Sequence, residues 1–195
     1  MHLNAALSAA QSAAPPGAHD DPPPGPLWVF AYGSLIWNPG FAHTDRRPAQ
    51  LHGYHRRFCI RSTLYRGTPD APGLVLGLDR GGSCRGIAFL VPPGQGAETI
   101  AYLDRRELPY PVYRRRILPV RLACGTLSAA VTYVARRDWP GYCRLSAHET
   151  ARMIDQGHGS MGSNREYLLR TLGGLRAAGI ADPALEQLAQ QLPRR

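Results

Sequence analysis

From Leu27 onward the apolar positions arrange themselves as strands first and helices last. Leu27–Tyr32, Gln50–Arg61, Gly73–Leu78, Cys84–Val91, Tyr113–Leu122 and Ser128–Ala135 have β-type composition, and Gly, Pro, Asp or Ser clusters separate most of them. Each is predicted as a strand. Most of the connections are too short for parallel crossovers, which points to an antiparallel sheet or a small barrel. One helix, Gly94–Arg106 and extending to Glu107, interrupts the strands, and three more follow them. Ser146 with Glu149 and Ser163 with Glu166 have capping-box spacing, and Asp182 followed by Pro183 reads as an N-cap with Pro in the first turn. With no internal repeat and no second boundary, residues 27–195 are expected to form one α+β domain.

Two segments break this regular pattern. At about 100° per residue, Ala97, Ile100, Ala101, Leu103 and Leu108 form one arc of the first helix, with Glu98, Thr99, Arg105 and Arg106 opposite. Glu107 falls inside the apolar arc, between Ile100 and Leu103, where a carboxylate is costly unless it is paired or has a task. On the residues alone, a core carboxylate satisfied by an Arg or by backbone donors and a catalytic acid–base are both open. Asp104, on the same arc, reads as structural. The second segment is Trp28-Val29-Phe30-Ala31-Tyr32-Gly33-Ser34-Leu35-Ile36-Trp37, a strand that breaks at Gly33-Ser34 into a tight turn whose backbone N–H groups can face an anion.

Composition narrows the function classes. The chain has 195 residues, 44% of them hydrophobic, and 23 basic against 14 acidic residues give a net charge of +9. Every basic side chain other than His is Arg. A basic solvated surface and a preference for small anionic substrates both fit this charge. Cys59, Cys84, Cys124 and Cys143 are widely spaced, with no C-x-x-C and no His at metal-ligand spacing, so reduced thiols in a cytoplasmic protein are expected. Residues 1–26 have neither the charged start nor the apolar run of a secretory signal and read as a disordered Ala/Pro-rich tail. No stretch has the length of a transmembrane helix.

Several motifs fail on inspection. His148-Glu149-Thr150-Ala151-Arg152 places Arg where a zincin needs its second His, and neither phosphate-cradling Gly motif is present. Ser34 lacks the second Gly of a nucleophile elbow. No recognition helix, aromatic RNA-binding signature or zinc module supports nucleic-acid binding.

Taken together, the residues carry a resemblance. Val29-Phe30-Ala31-Tyr32-Gly33-Ser34-Leu35-Ile36-Trp37 resembles the opening strand and substrate loop of the ChaC-like glutathione-specific γ-glutamylcyclotransferases. Gly53-Tyr54 before Arg56-Arg57-Phe58, Ser62-Thr63 with Arg66-Gly67 and Pro69, and Tyr102-Leu103-Asp104 with Arg106-Glu107 continue it. Gly159, Gly162, Asn164 and Glu166-Tyr167-Leu168 complete it. The chain departs from many members in carrying Ala31 for Gly and a Pro-rich link, Leu108–Val112, before Tyr113.

The resemblance implies a γ-glutamylcyclotransferase-like fold, a small mixed β-barrel flanked by helices. It also implies cleavage of glutathione to 5-oxoproline and cysteinylglycine without metal or organic cofactor. Glu107 is then the general base and acid. Ala31, Tyr32, Gly33, Ser34, Leu35, Ile36, Arg66 and Tyr113 are the expected substrate-binding residues, with Arg57 the rival to Arg66 for a substrate carboxylate. Burial is expected to raise the Glu107 pKa, and helical phase to keep Arg105 and Arg106 away from it. Two alternatives stand beside this: action on another γ-glutamyl amine or amino acid, and a non-catalytic module that binds anions or nucleic acid.

Overall fold

The computed structural model describes Asp20 and residues 25–193. The rest of the tail lies outside the described residues. Five strands make a closed barrel: β1 (Trp28–Ala31), β2 (Asp45–Ser62), β3 (Gly73–Leu90), β4 (Tyr113–Leu122) and β5 (Leu127–Ala135). β2 and β3 form a long antiparallel hairpin from Asp45↔Leu90 to Ser62↔Gly73, and β4 pairs with β5 from Tyr113↔Ala135 to Arg121↔Leu127. The two hairpins meet where Ala49–Leu51 faces Val120–Leu122. β1 closes the barrel, antiparallel to β3 and parallel to β5 at Trp28↔Ala130 and Val29↔Val131.

Four helices follow or interrupt the strands: α1 (Gly96–Glu107), α2 (Ala147–Gln156), α3 (Asn164–Ala177) and α4 (Pro183–Gln190). A two-residue ladder, β6 (His158–Gly159) with β7 (Gly162–Ser163), precedes α3. Ser146 and Glu149 form the reciprocal capping box, Ser163 accepts from the Glu166 N–H, and Asp182 accepts from the Leu185 N–H. Asn164 begins α3 fully buried. Its side chain both accepts from the Leu74 N–H (2.6 Å) and donates to the Leu74 carbonyl (2.7 Å), acting as a strand partner for β3. No helix among the described residues is long and apolar enough to cross a membrane.

Three expectations change. Gly73–Leu78 and Cys84–Val91 are one strand, not two. Gly81 and Gly82, at φ of 102° and 67°, lie near a register shift between His52 and Tyr54, so the glycine cluster bends a continuous ladder instead of ending it. In α1 the buried positions are Thr99, Ile100 and Leu103, while Ala97 and Ala101 face solvent. The buried stripe is turned toward Thr99, and Glu107 continues it four residues after Leu103. Finally, Asp20 belongs to the structure. Its carboxylate accepts from Arg116 Nε and the Ile117 N–H (both 2.9 Å) and its carbonyl from Arg115 Nε (3.1 Å), so this part of the expected tail lies along β4.

Candidate active site

β1 delivers the chain to the site and stops there. After Ala31 the backbone leaves the ladder, and Ser34–Ile36 make one turn of 3₁₀ helix. Its bonds run from the Ile36 N–H to Gly33 O (3.0 Å) and from the Asn38 N–H to Ser34 O (2.9 Å). The N–H groups of Gly33, Ser34 and Leu35 precede that ladder, as the leading N–H groups of any helix do, and are suited to an anionic oxygen. Ile36 packs against α3 beside Gly174, where a Cβ would stand 2.8 Å from Ile36 Cγ2, and this seats the turn.

A small, partly open cleft lies between the turn and the end of α1. Tyr32, Gly33, Ser34, Leu35, Glu107 and Tyr113 line it, six of the nine residues expected at the site. Ala31 and Ile36 sit beside them in β1 and the turn, buried but not lining. Phe30, Leu76, Tyr133 and Tyr167 complete the wall. Tyr167 carried a sequence signal, since it stands in the Glu166-Tyr167-Leu168 run; Tyr133 and Leu76 read only as strand residues.

Neither arginine expected to hold a substrate carboxylate reaches the cleft. Arg66 donates to the carbonyls of Met161 (2.5 Å) and Ser163 (3.3 Å), and its guanidinium stacks 5.1 Å from the centre of the Tyr167 ring. Arg57 donates to the Leu145 carbonyl (3.0 Å). Arg66 therefore packs on the ring of Tyr167, which lines the cleft, and is not itself in the lining.

The Glu107 side chain is 18% exposed, and burial raises its pKa while the Arg106 charge pulls it back. That charge is a correction to the expected phase. Arg106 turns inward, with Nε 3.3 Å from Glu107 Oε1. It also donates to Ser34 Oγ (3.0 Å), the Asn38 carbonyl (2.7 Å) and Tyr102 Oη (3.1 Å). Its five donors let one guanidinium tie α1 to the turn while lying against the acid. Desolvation remains the larger influence on Glu107, as expected.

Four tyrosines face Glu107. Burial pushes the hydroxyls of Tyr32, Tyr113, Tyr133 and Tyr167 up, and the negative charge of Glu107 adds to each shift, so all four stay protonated donors. Three of these hydroxyls are held by acceptors of the protein itself. Tyr32 donates to the Tyr133 carbonyl (2.8 Å), Tyr113 to the Leu76 carbonyl (2.7 Å), and Tyr133 to Asp104 (2.7 Å), which Arg115 also binds. The Tyr167 hydroxyl lies beside Gly33, so close that a Cβ there would be 3.2 Å from it. Among the described residues no group of His, Cys, Asp and Glu could hold a metal ion.

This arrangement gathers one desolvated carboxylate, a turn of backbone donors and neutral tyrosines around a single cleft. It can move a proton within a small, partly closed space and hold a developing negative charge nearby.

Comparison with known proteins gives a consistent result. Residues 27–195 match the family model described as ChaC-like protein. The glutathione-specific γ-glutamylcyclotransferase of Escherichia coli (strain K12) is 33% identical over 168 residues, covering 86% of this chain and 73% of that protein. The rat protein named glutathione-specific γ-glutamylcyclotransferase 1 is 36% identical over 187 residues, covering 88% and 84%. Among solved structures, the yeast γ-glutamyl cyclotransferase specific to glutathione superposes with a TM-score of 0.78 at 26% identity, covering 86% of this chain and 96% of that one. A further γ-glutamyl cyclotransferase shares the fold at 15% identity, with a TM-score of 0.55 over 87% of this chain and 90% of that one.

Proposed function

The chain belongs to the ChaC-like family, and from that membership and the cleft we propose that it is a glutathione-specific γ-glutamylcyclotransferase with Glu107 as its acid–base. The observation that carries the catalytic assignment is the position of Glu107, desolvated at the end of α1 in the same cleft as the Tyr32–Leu35 turn.

The chemistry asks little of the protein because the nucleophile is part of the substrate. The free α-amine of the γ-glutamyl group attacks its own γ-carbonyl and closes a five-membered ring. Well-oriented intramolecular attack reaches effective molarities of about 10⁵–10⁸ M. Glu107 takes the proton released by the amine as the new C–N bond forms. A tetrahedral oxyanion results, and the N–H groups of Gly33, Ser34 and Leu35 receive it or the neighbouring α-carboxylate. Glu107 then returns the proton to the cysteinyl nitrogen as the old C–N bond breaks, releasing cysteinylglycine and 5-oxoproline. A carboxylate raised by burial suits both transfers better than one with an ordinary pKa.

Two further observations support the small-molecule, cytoplasmic reading. Arg56, Arg115, Arg116, Arg137 and Arg165 each pair with a carboxylate of the same chain, so part of the basic charge is neutralised where it stands. All four cysteines are free, two of them buried, which fits a reducing compartment.

Incubation of the pure protein with glutathione and, separately, with N-acetylglutathione tests the reaction class. Release of 5-oxoproline from the first and none from the second is expected, because acetylation removes the attacking atom. Equal conversion of both would mean that water or a side chain attacks, and the cyclotransferase reading would be lost.

A further inference from the structure

Arg56 lies in β2, 9% exposed, and is not part of the cleft wall. Its guanidinium is fixed on three sides. Nε donates to the Tyr32 carbonyl at 2.5 Å, and one terminal nitrogen donates to the Arg85 carbonyl at 2.6 Å. The other terminal nitrogen pairs with the Asp182 carboxylate. Asp182 is itself held, since its second oxygen accepts from the Leu185 N–H at 3.1 Å as the N-cap of α4. A fork of donors in one rigid plane can make these contacts together, and an ammonium on a flexible stem cannot reproduce them.

The Tyr32 carbonyl belongs to the peptide that joins Tyr32 to Gly33. Among the described residues every peptide bond is trans, so this carbonyl and the Gly33 N–H point in opposite directions within one plane. Arg56, which is not in the cleft wall, holds the carbonyl end of this peptide, and the other end is the N–H of Gly33, which is in the wall. Rotation of this peptide by half a turn would put a carbonyl oxygen where the substrate's negative oxygen must go. It would also strip an acceptor from a buried guanidinium, which opposes the flip.

We propose that Arg56, held by Asp182, is a positioning residue that locks the Tyr32–Gly33 peptide with its N–H facing the substrate. The orientation of a donor for the oxyanion is then set from behind the barrel wall, through an ion pair to the start of the last helix. This deepens the cyclotransferase reading and rests on it. Arg56 touches neither substrate nor Glu107, and its effect is carried by one peptide plane.

Arg56→Lys and Asp182→Asn in the full-length protein test the proposal. Asn keeps an N-cap acceptor for α4, so the second variant loosens Arg56 while preserving the helix start. Both are assayed for 5-oxoproline release, with kcat normalised to the folded fraction from thermal denaturation. Outright removal of a preorganised donor costs about 10²–10³-fold, and loosening it is expected to lower the normalised kcat by about 10- to 100-fold in Arg56→Lys and by less in Asp182→Asn. The KM for glutathione should change by less than about threefold, because the interaction belongs to the transition state. A second readout follows the position directly: the Gly33 amide ¹⁵N–¹H signal should shift on addition of 5-oxoproline to wild type and not in Arg56→Lys. Wild-type normalised kcat in both variants, or an undiminished Gly33 response in Arg56→Lys, would overturn the proposal and leave Arg56 a stabilising residue only. Failure of wild type to release 5-oxoproline would instead bring down the cyclotransferase reading, and this proposal with it.

Discussion

Replacing Arg106 by Gln should move the acid side of the pH–rate profile to higher pH and lower its plateau. Two effects act on Glu107: burial raises its pKa, and the guanidinium 3.3 Å away lowers it. Removing the guanidinium leaves burial unopposed, so Glu107 holds its proton to higher pH, and a base that must be ionised fails earlier on acidification. Two unit charges at 3.3 Å attract by about 1 kcal/mol in water and about 5 kcal/mol at an effective dielectric near 20. With the two side chains 21% and 18% exposed, even the solvent-screened end of that range applies, and about 1.4 kcal/mol is tenfold. On the acid limb kcat/KM should therefore fall about tenfold at a given pH. The four tyrosines facing Glu107 stay neutral and leave Arg106 as the charge that matters. The plateau falls for a separate reason: the Gln variant loses the links to Ser34 Oγ and the Asn38 carbonyl that hold the turn against α1. Arg106→Lys separates the two, restoring the limb while the plateau stays low. The assay is 5-oxoproline release as a function of pH for the three proteins. An acid limb that stays in place in Arg106→Gln would refute the reasoning, because the pair would then not act on the base.

Three other outcomes follow from the same structure. Glu107→Gln should unfold at a higher temperature than wild type at neutral pH: a carboxylate whose folded pKa is raised contributes stability below its unfolded pKa and loses it as pH rises through the folded value, and in thermal denaturation the gain should vanish below about pH 4. Tyr113→Phe leaves the buried Leu76 carbonyl without its donor and should cost about 1–3 kcal/mol, read from chemical denaturation. Cys124, exposed beside Arg47 and Thr126 with its pKa lowered to about 7, should be the first cysteine alkylated by iodoacetamide at neutral pH, whereas Cys59, pushed up to about 12 by burial, should resist; mass spectrometry of the labelled peptides decides.

Signals carried by short spans of chain were legible before folding. The Tyr113–Leu122 strand, the helix ending at Glu107 and the caps at Ser146, Ser163 and Asp182 are all local, and all are present. Barrel closure was less legible, because the parallel pairing of β1 with β5 joins residues about a hundred positions apart, and nothing in either segment names its partner. The glycines at 81 and 82 misled because the same residues serve a turn or a bend within a ladder, and only the paired strand decides which. In the site, the turn and Glu107 stood out as breaks in pattern. Arg106 did not, since helical phase gives the direction of its Cα–Cβ bond and not the path of a long side chain that can fold back on its neighbour. Arg66 stands in a motif that points to a substrate role. Its placement under Tyr167 depends on carbonyls at Met161 and Ser163 that no spacing rule brings to it.

The central claim is that Glu107 moves the proton in an intramolecular ring closure. Its most direct test is the time course of 5-oxoproline and cysteinylglycine formation from saturating glutathione, compared between wild type and Glu107→Gln under conditions where both are folded and bind glutathione. Wild type should release the two products in equal amounts, and Glu107→Gln should be slower by about 10²–10⁴-fold, the range for loss of a positioned acid–base. Turnover by the folded Gln variant within a few-fold of wild type would contradict the account, because an amide in that position cannot shuttle the proton.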